Sequence, residues 1–249
     1  MRPATLLASA ALLLPLTVAT GALPALSAQA AGSAGSVGSG DVAANVASKC
    51  GSCHQLTGSS DPSISTRDSR KAPPLFYAGN KFRKEWLAQW LVDPVRIRPA
   101  GDTPMTHARS TPEGDVIDED KLIEHPKLSI DEAEQVTDYL MTLKPHDELI
   151  AAETYTETNV SPRMGAMDFV KFKGCGGCHM DTPKDGGVSG PELHTAWQRL
   201  QPEFIASYIR DPIAWETRSI MPNKHLADGP INKLVNYLRS IGAEKEAAE

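Results

Sequence analysis

The sequence predicts an all-α chain made of two tandem, related helical domains. Three observations lead there: an internal repeat, apolar residues at helical spacing in both copies, and no competing run of strand-like alternation. Aligning the two cysteine pairs sets Gly40 opposite Gly165, and Pro73 and Leu75 match Pro191 and Leu193. An ungapped stretch then pairs Phe82 with Leu200, Trp86 with Phe204, Trp90 with Tyr208 and Asp93-Pro94 with Asp211-Pro212. Near the ends, Val136-Thr137-Asp138-Tyr139-Leu140 matches Leu234-Val235-Asn236-Tyr237-Leu238.

Each element has a local cause. Phe82, Trp86, Leu87, Trp90 and Leu91 fall on one face of a helix, and the proline after Asp93 stops it. Leu200, Phe204, Ile205, Tyr208 and Ile209 repeat that face. Ser129 with Glu132 forms a capping box that opens the last helix of the first half. Asp228 with Pro230 opens the last helix of the second, and Gly242 marks its end.

All four cysteines lie in two copies of one pattern, Cys50-Gly51-Ser52-Cys53-His54 and Cys175-Gly176-Gly177-Cys178-His179. C-x-x-C-H is the attachment signature of c-type haem: both thiols add to the porphyrin vinyl groups, and the next residue offers its imidazole to the iron. Two disulfides or one zinc ion between two knuckles are the other readings of four cysteines. Neither explains a histidine directly after both pairs. The expected cofactors are two covalent haem c groups, held through Cys50, Cys53, Cys175 and Cys178, with His54 and His179 on the irons. Haem also gives a short, aromatic-poor chain an apolar plate to fold around.

The N-terminus predicts export. Met1-Arg2 is a short positive start, Leu6 to Leu23 is apolar and Ala-rich, and Ala28-Gln29-Ala30 is a small-residue cleavage site. Residues 1–30 therefore read as a signal peptide, with an uncleaved membrane anchor as the alternative. Haem of this type is attached outside the bacterial inner membrane, so the expected location is the periplasm. Residues 31–144 form the expected first domain, opening on a Gly/Ser-rich leader, residues 145–163 a linker, and residues 164–249 the second domain.

With these motifs in place, the chain resembles a dihaem class I cytochrome c over roughly residues 40–144 and 164–243. The resemblance implies that an N-terminal helix crosses a C-terminal helix through a glycine and an aromatic, and Gly165, Phe169 and Tyr237 fit those places. In the first half Ala44 stands where Phe169 stands in the second, so that crossing is expected to differ. The family also implies a proline whose carbonyl takes the Nδ1 proton of the haem histidine, and Pro73 and Pro191 match it. It further implies a methionine on the opposite face of the iron. Met221, in Arg218-Ser219-Ile220-Met221-Pro222, fits that loop; His194 and His225 read as surface or hydrogen-bonding residues. In the first half the matching loop, Arg98 to Met105, is longer, and threonine follows the methionine. Met105 is the expected ligand there, with His107 and then His125 as alternatives.

The first half carries a longer insertion between Met105 and Tyr139 than the second carries between Met221 and Tyr237, rich in Glu113, Asp115, Asp118, Glu119, Asp120 and Glu124. It reads as solvated surface or as a docking face for a basic redox partner. The net charge of −6 argues against nucleic acid or anionic membrane as a partner. The expected function is a periplasmic electron carrier between a redox donor and an acceptor. The alternatives are a haem subunit of a membrane oxidoreductase complex, or a dihaem enzyme such as a peroxidase, which needs a displaceable iron ligand.

Overall fold

The computed structural model describes residues 39–58, 63 and 69–246, all within one compact unit. The expected signal peptide, residues 1–30, and residues 31–38 lie outside the described residues. Among the described residues, no helix is long and apolar enough to cross a membrane.

In the first half the helix Ser39–Cys50 carries the first motif at its C-terminus and packs against the helix Ile130–Leu140. Ser129 opens the latter as a full capping box: its hydroxyl accepts the Glu132 N–H at 3.3 Å, and the Glu132 carboxylate accepts the Ser129 N–H at 3.3 Å. In the second half the helix Pro162–Met167 continues into a π-helical turn, Asp168–Phe172, and crosses the long helix Asp228–Glu246.

A Cβ on Gly165 would stand 2.1 Å from Tyr237 Cδ2, so only glycine lets the two backbones approach this closely. The Phe169 and Tyr237 ring centroids lie 5.8 Å apart beside it. The first-half crossing differs in the expected place. Gly40 has nothing within 4 Å, Ala44 is exposed, and Val46, fully buried, supplies the contact instead.

The central helices are Lys84–Val92 and Pro202–Arg210. They bury Leu87 and Leu91 in one half and Phe204 and Ile205 in the other, the faces that the spacing predicts. Phe82, Trp86 and Trp90 stack in a row at 5.6 and 5.7 Å. Pro212 does more than stop its helix. With Asp211 accepting the Ile213 N–H at 3.3 Å, it starts a new turn, Pro212–Trp215.

One expectation needs correction. The chain is mostly rather than wholly helical, because Ala108–Thr111 pairs antiparallel with Gly114–Ile117. Each strand has only four residues, too few to show alternation; the Pro112-Glu113-Gly114 turn between them was the available signal. Residues 145–163, the expected linker, are ordered as a strap that includes the helix Asp147–Ala151. Asn236 holds it to the last helix, accepting the Tyr155 hydroxyl at 3.0 Å and the Thr158 N–H at 2.9 Å and donating to Thr156 O at 2.9 Å. Glu153 takes two Arg210 donors, Nε and Nη2, at 2.6 and 2.9 Å. At the other end the Asn80 amide donates to Asp147 at 2.7 Å.

The two halves meet through residues that the repeat makes equivalent. Phe82 and Leu200 form an isolated antiparallel bridge. Arg83 N–H donates to Arg199 O at 2.9 Å, and Gln201 N–H donates to Lys81 O at 3.0 Å. The side chains repeat the symmetry: Arg83 Nε donates to Trp197 O and Leu200 O, both at 3.0 Å, and Gln201 Nε2 donates to Gly79 O and Phe82 O, both at 2.9 Å. This is the self-complementary contact of a two-fold dimer, made inside one chain. Tyr77 of the first half packs on Phe204 and Trp215 of the second, at 6.1 and 5.6 Å, to form the shared core.

Candidate cofactor site

The two cysteine motifs adopt the same turn. Cys53 N–H and His54 N–H both donate to Cys50 O, at 3.1 and 2.8 Å; Cys178 N–H and His179 N–H both donate to Cys175 O, at 3.1 and 3.0 Å. In each motif the first cysteine is half-buried and the second exposed, and all four thiols are free. Burial pushes the Cys50 and Cys175 thiols up. Among the described residues, no three His, Cys, Asp or Glu side chains converge as a zinc site requires.

Both motif histidines are oriented by the prolines that the resemblance implies. His54 Nδ1 donates to Pro73 O at 2.7 Å, and His179 Nδ1 donates to Pro191 O at 2.7 Å. A carbonyl only accepts, so the proton sits on Nδ1 and the Nε2 lone pair is left for another partner. Burial lowers both histidine pKa values, which keeps the rings neutral. Around His179 the packing is tight: a Cβ on Gly190 would lie 2.5 Å from the ring Cε1, and Gly190 N–H donates to Cys178 O at 2.7 Å.

A cleft of ≈ 380 Å³ opens beside the first motif, lined by Cys53, His54, Arg70, Lys71 and, from the second half, Arg218. It borders a buried charge cluster shared by both halves. Arg70 lies 3.2 Å from Asp102 and 3.9 Å from Glu216, Arg98 lies 3.3 Å from Asp102, and Arg218 lies 3.1 Å from Glu216. Arg199, 3.5 Å from Glu192, and Lys81 add further positive charge. The Lys81 ammonium sits over the Tyr77, Phe82 and Phe204 rings, and burial, reinforced by Arg98 and Arg199, lowers its pKa to about 7. Both Asp102 carboxylate oxygens are buried without a hydrogen bond among the described residues. Cations outnumber carboxylates here, so the cluster suits a cofactor that brings its own carboxylates. The cysteine turns, the oriented imidazoles and this cationic junction together fit haem.

The expected sixth ligands fare unequally. Met221 is half-buried in the loop before the last helix; its N–H donates to Ser219 Oγ at 3.3 Å, and that hydroxyl meets Tyr208 Oη at 3.0 Å. Met105 lies on the short helix Pro104–His107 with 92% of its surface exposed, its thioether turned to solvent. His107 Nδ1 lies 3.2 Å from Thr106 Oγ1. His194 Nε2 faces Glu192 at 3.3 Å, and His225 is exposed, so both are placed as surface or hydrogen-bonding residues.

His125, ranked last by sequence, is the ring that the structure brings to His54, at 6.1 Å between centroids. It also packs on Trp90 at 4.6 Å. In the sequence His125-Pro126 is an X-Pro pair that begins three residues ahead of Leu128, where Met221-Pro222 begins five ahead of Leu226.

Comparison with known proteins returned no family model, no curated protein and no solved structure that matches this chain.

Proposed function

We propose that the chain is a dihaem electron carrier of the periplasm, accepting one electron at a time from a reduced redox protein and passing it to an oxidised one. The observation that carries this reading is the duplicated Cys-x-x-Cys-His turn, in which each histidine gives its Nδ1 proton to a proline carbonyl and keeps Nε2 available. When bound, haem c supplies an iron that cycles between ferric and ferrous states.

The chain's own residues do the rest. Cys50, Cys53, Cys175 and Cys178 would hold the two groups covalently, so the cofactor would stay in place through repeated encounters. The Pro73 and Pro191 carbonyls fix the ring planes of His54 and His179 and raise their basicity toward metal. Arg70, Arg98, Arg199 and Arg218 would offer positive charge to the haem carboxylates, and Met221 would offer its thioether to the second haem. The bridge at Phe82 and Leu200 keeps the two sites in a fixed relation, as transfer between them requires.

The acidic insertion is the proposed docking face for a basic partner. Its charge is partly neutralised internally, since Asp118 pairs with Lys121 at 2.7 Å and Glu119 with Arg96. Stopped-flow mixing of the reduced holoprotein with a small basic redox protein tests the role. Fast transfer that slows with added salt, together with negligible peroxide turnover, is the expected result. Rapid peroxide reduction by a high-spin resting haem would make the protein an enzyme instead.

A further inference from the structure

We infer that His125, not Met105, is the second axial ligand of the first haem, so the two irons carry different ligand sets. The inference rests on the dihaem reading and adds one ligand to it.

Geometry comes first. An imidazole nitrogen binds a first-row metal at about 2 Å, so two imidazoles on opposite sides of one iron have ring centroids about 6 Å apart. His54 and His125 stand 6.1 Å apart, with their planes at 60°. A methionine that is 92% exposed offers no comparable placement.

The protonation pattern agrees. His125 Nδ1 lies 2.9 Å from Pro126 O, so it donates there as His54 Nδ1 donates to Pro73 O. Nε2 is then the lone-pair nitrogen on both rings, and neither has a hydrogen bond among the described residues. Two neighbouring histidines with both Nδ1 protons spent on proline carbonyls are prepared for metal on the remaining atom.

The internal repeat supplies an independent argument. Trp90 and Tyr208 are equivalent, and each touches the loop that enters the last helix: Trp90 packs on His125, while Tyr208 holds Ser219, which takes the Met221 N–H. Leu128 and Leu226 are likewise equivalent, and both pack on the core. Just upstream of that leucine each half has one residue that precedes a proline, His125 three positions before Leu128 and Met221 five positions before Leu226. Met105 has no such counterpart, because it sits before the hairpin that only the first half contains.

An imidazole pair favours the ferric state more than a histidine–methionine pair does. The first haem therefore has the lower potential, and a single electron resides on the second.

The test uses the oxidised holoprotein and its variants, read by the thioether-to-iron band in the near infrared and by electron paramagnetic resonance. The wild-type protein should show the band at the intensity of one haem per two, with Met221→Ala abolishing it and Met105→Ala leaving it unchanged. His125→Ala should replace one low-spin signal with a high-spin one. If that variant fails to assemble, His125→Met carries the test, since it should double the band. A wild-type band worth two haems that Met105→Ala halves would overturn the inference alone. A chain bearing no covalent haem would overturn the underlying reading, and the inference with it.

Discussion

Phe82 and Leu200, equivalent positions of the internal repeat, pair with each other across an antiparallel bridge. The local two-fold axis of the molecule therefore passes between them. Each half extends the same polar side-chain position, Arg83 or Gln201, onto two carbonyls of the other. Halves joined this way bury equivalent surfaces against one another, as subunits of a symmetric dimer do.

Gln201→Ala should destabilise the protein by about 1–3 kcal/mol, because Gly79 O and Phe82 O lose their donor in a partly buried setting. Arg83→Ala should cost a similar amount and also remove the guanidinium from over the Trp197 ring, 4.9 Å away. Denaturant unfolding followed by tryptophan fluorescence measures both. Wild-type unfolding in a single transition, with both variants shifted, is the expected outcome; two independent transitions would show that the bridge does not couple the halves.

Gly165→Ala places a methyl 2.1 Å from the Tyr237 ring and should destabilise the second half by on the order of 1–3 kcal/mol. Gly40→Ala, with nothing within 4 Å of its Cβ, should have little steric effect. Thermal melts of the two variants compare them directly. Equal effects would mean that the helix crossings are alike after all.

Met221→Ala should lower the potential of one haem and leave the other unmoved, because a thioether favours ferrous iron and its loss removes that preference. A spectroelectrochemical titration that resolves two waves reads this out. Two unshifted waves would remove Met221 from the ligand set.

Much of this structure was legible in the sequence, for physical reasons that differ by residue. Phe82, Trp86 and Trp90 carried helical spacing, Ser129 and Glu132 carried a local hydrogen-bond pattern, and Pro73 and Pro191 stood at matching places in the repeat. Each depends on near neighbours or on a duplicated template. The hairpin after His107 was missed because four-residue strands show no period, and the fixed path of the 145–163 linker is not readable because Asn236 holds it from far along the chain. The proximity of His125 to His54 is set by the path of the insertion between Met105 and Tyr139, which sequence spacing alone does not reveal.

The central claim is that both Cys-x-x-Cys-His turns carry covalent haem. Intact mass of the chain exported with the bacterial haem-attachment machinery, paired with a pyridine haemochrome assay, measures it most directly. Two haems per chain are predicted, falling to one in either Cys53→Ser or Cys178→Ser. A chain of unmodified mass with four titratable thiols would contradict the claim.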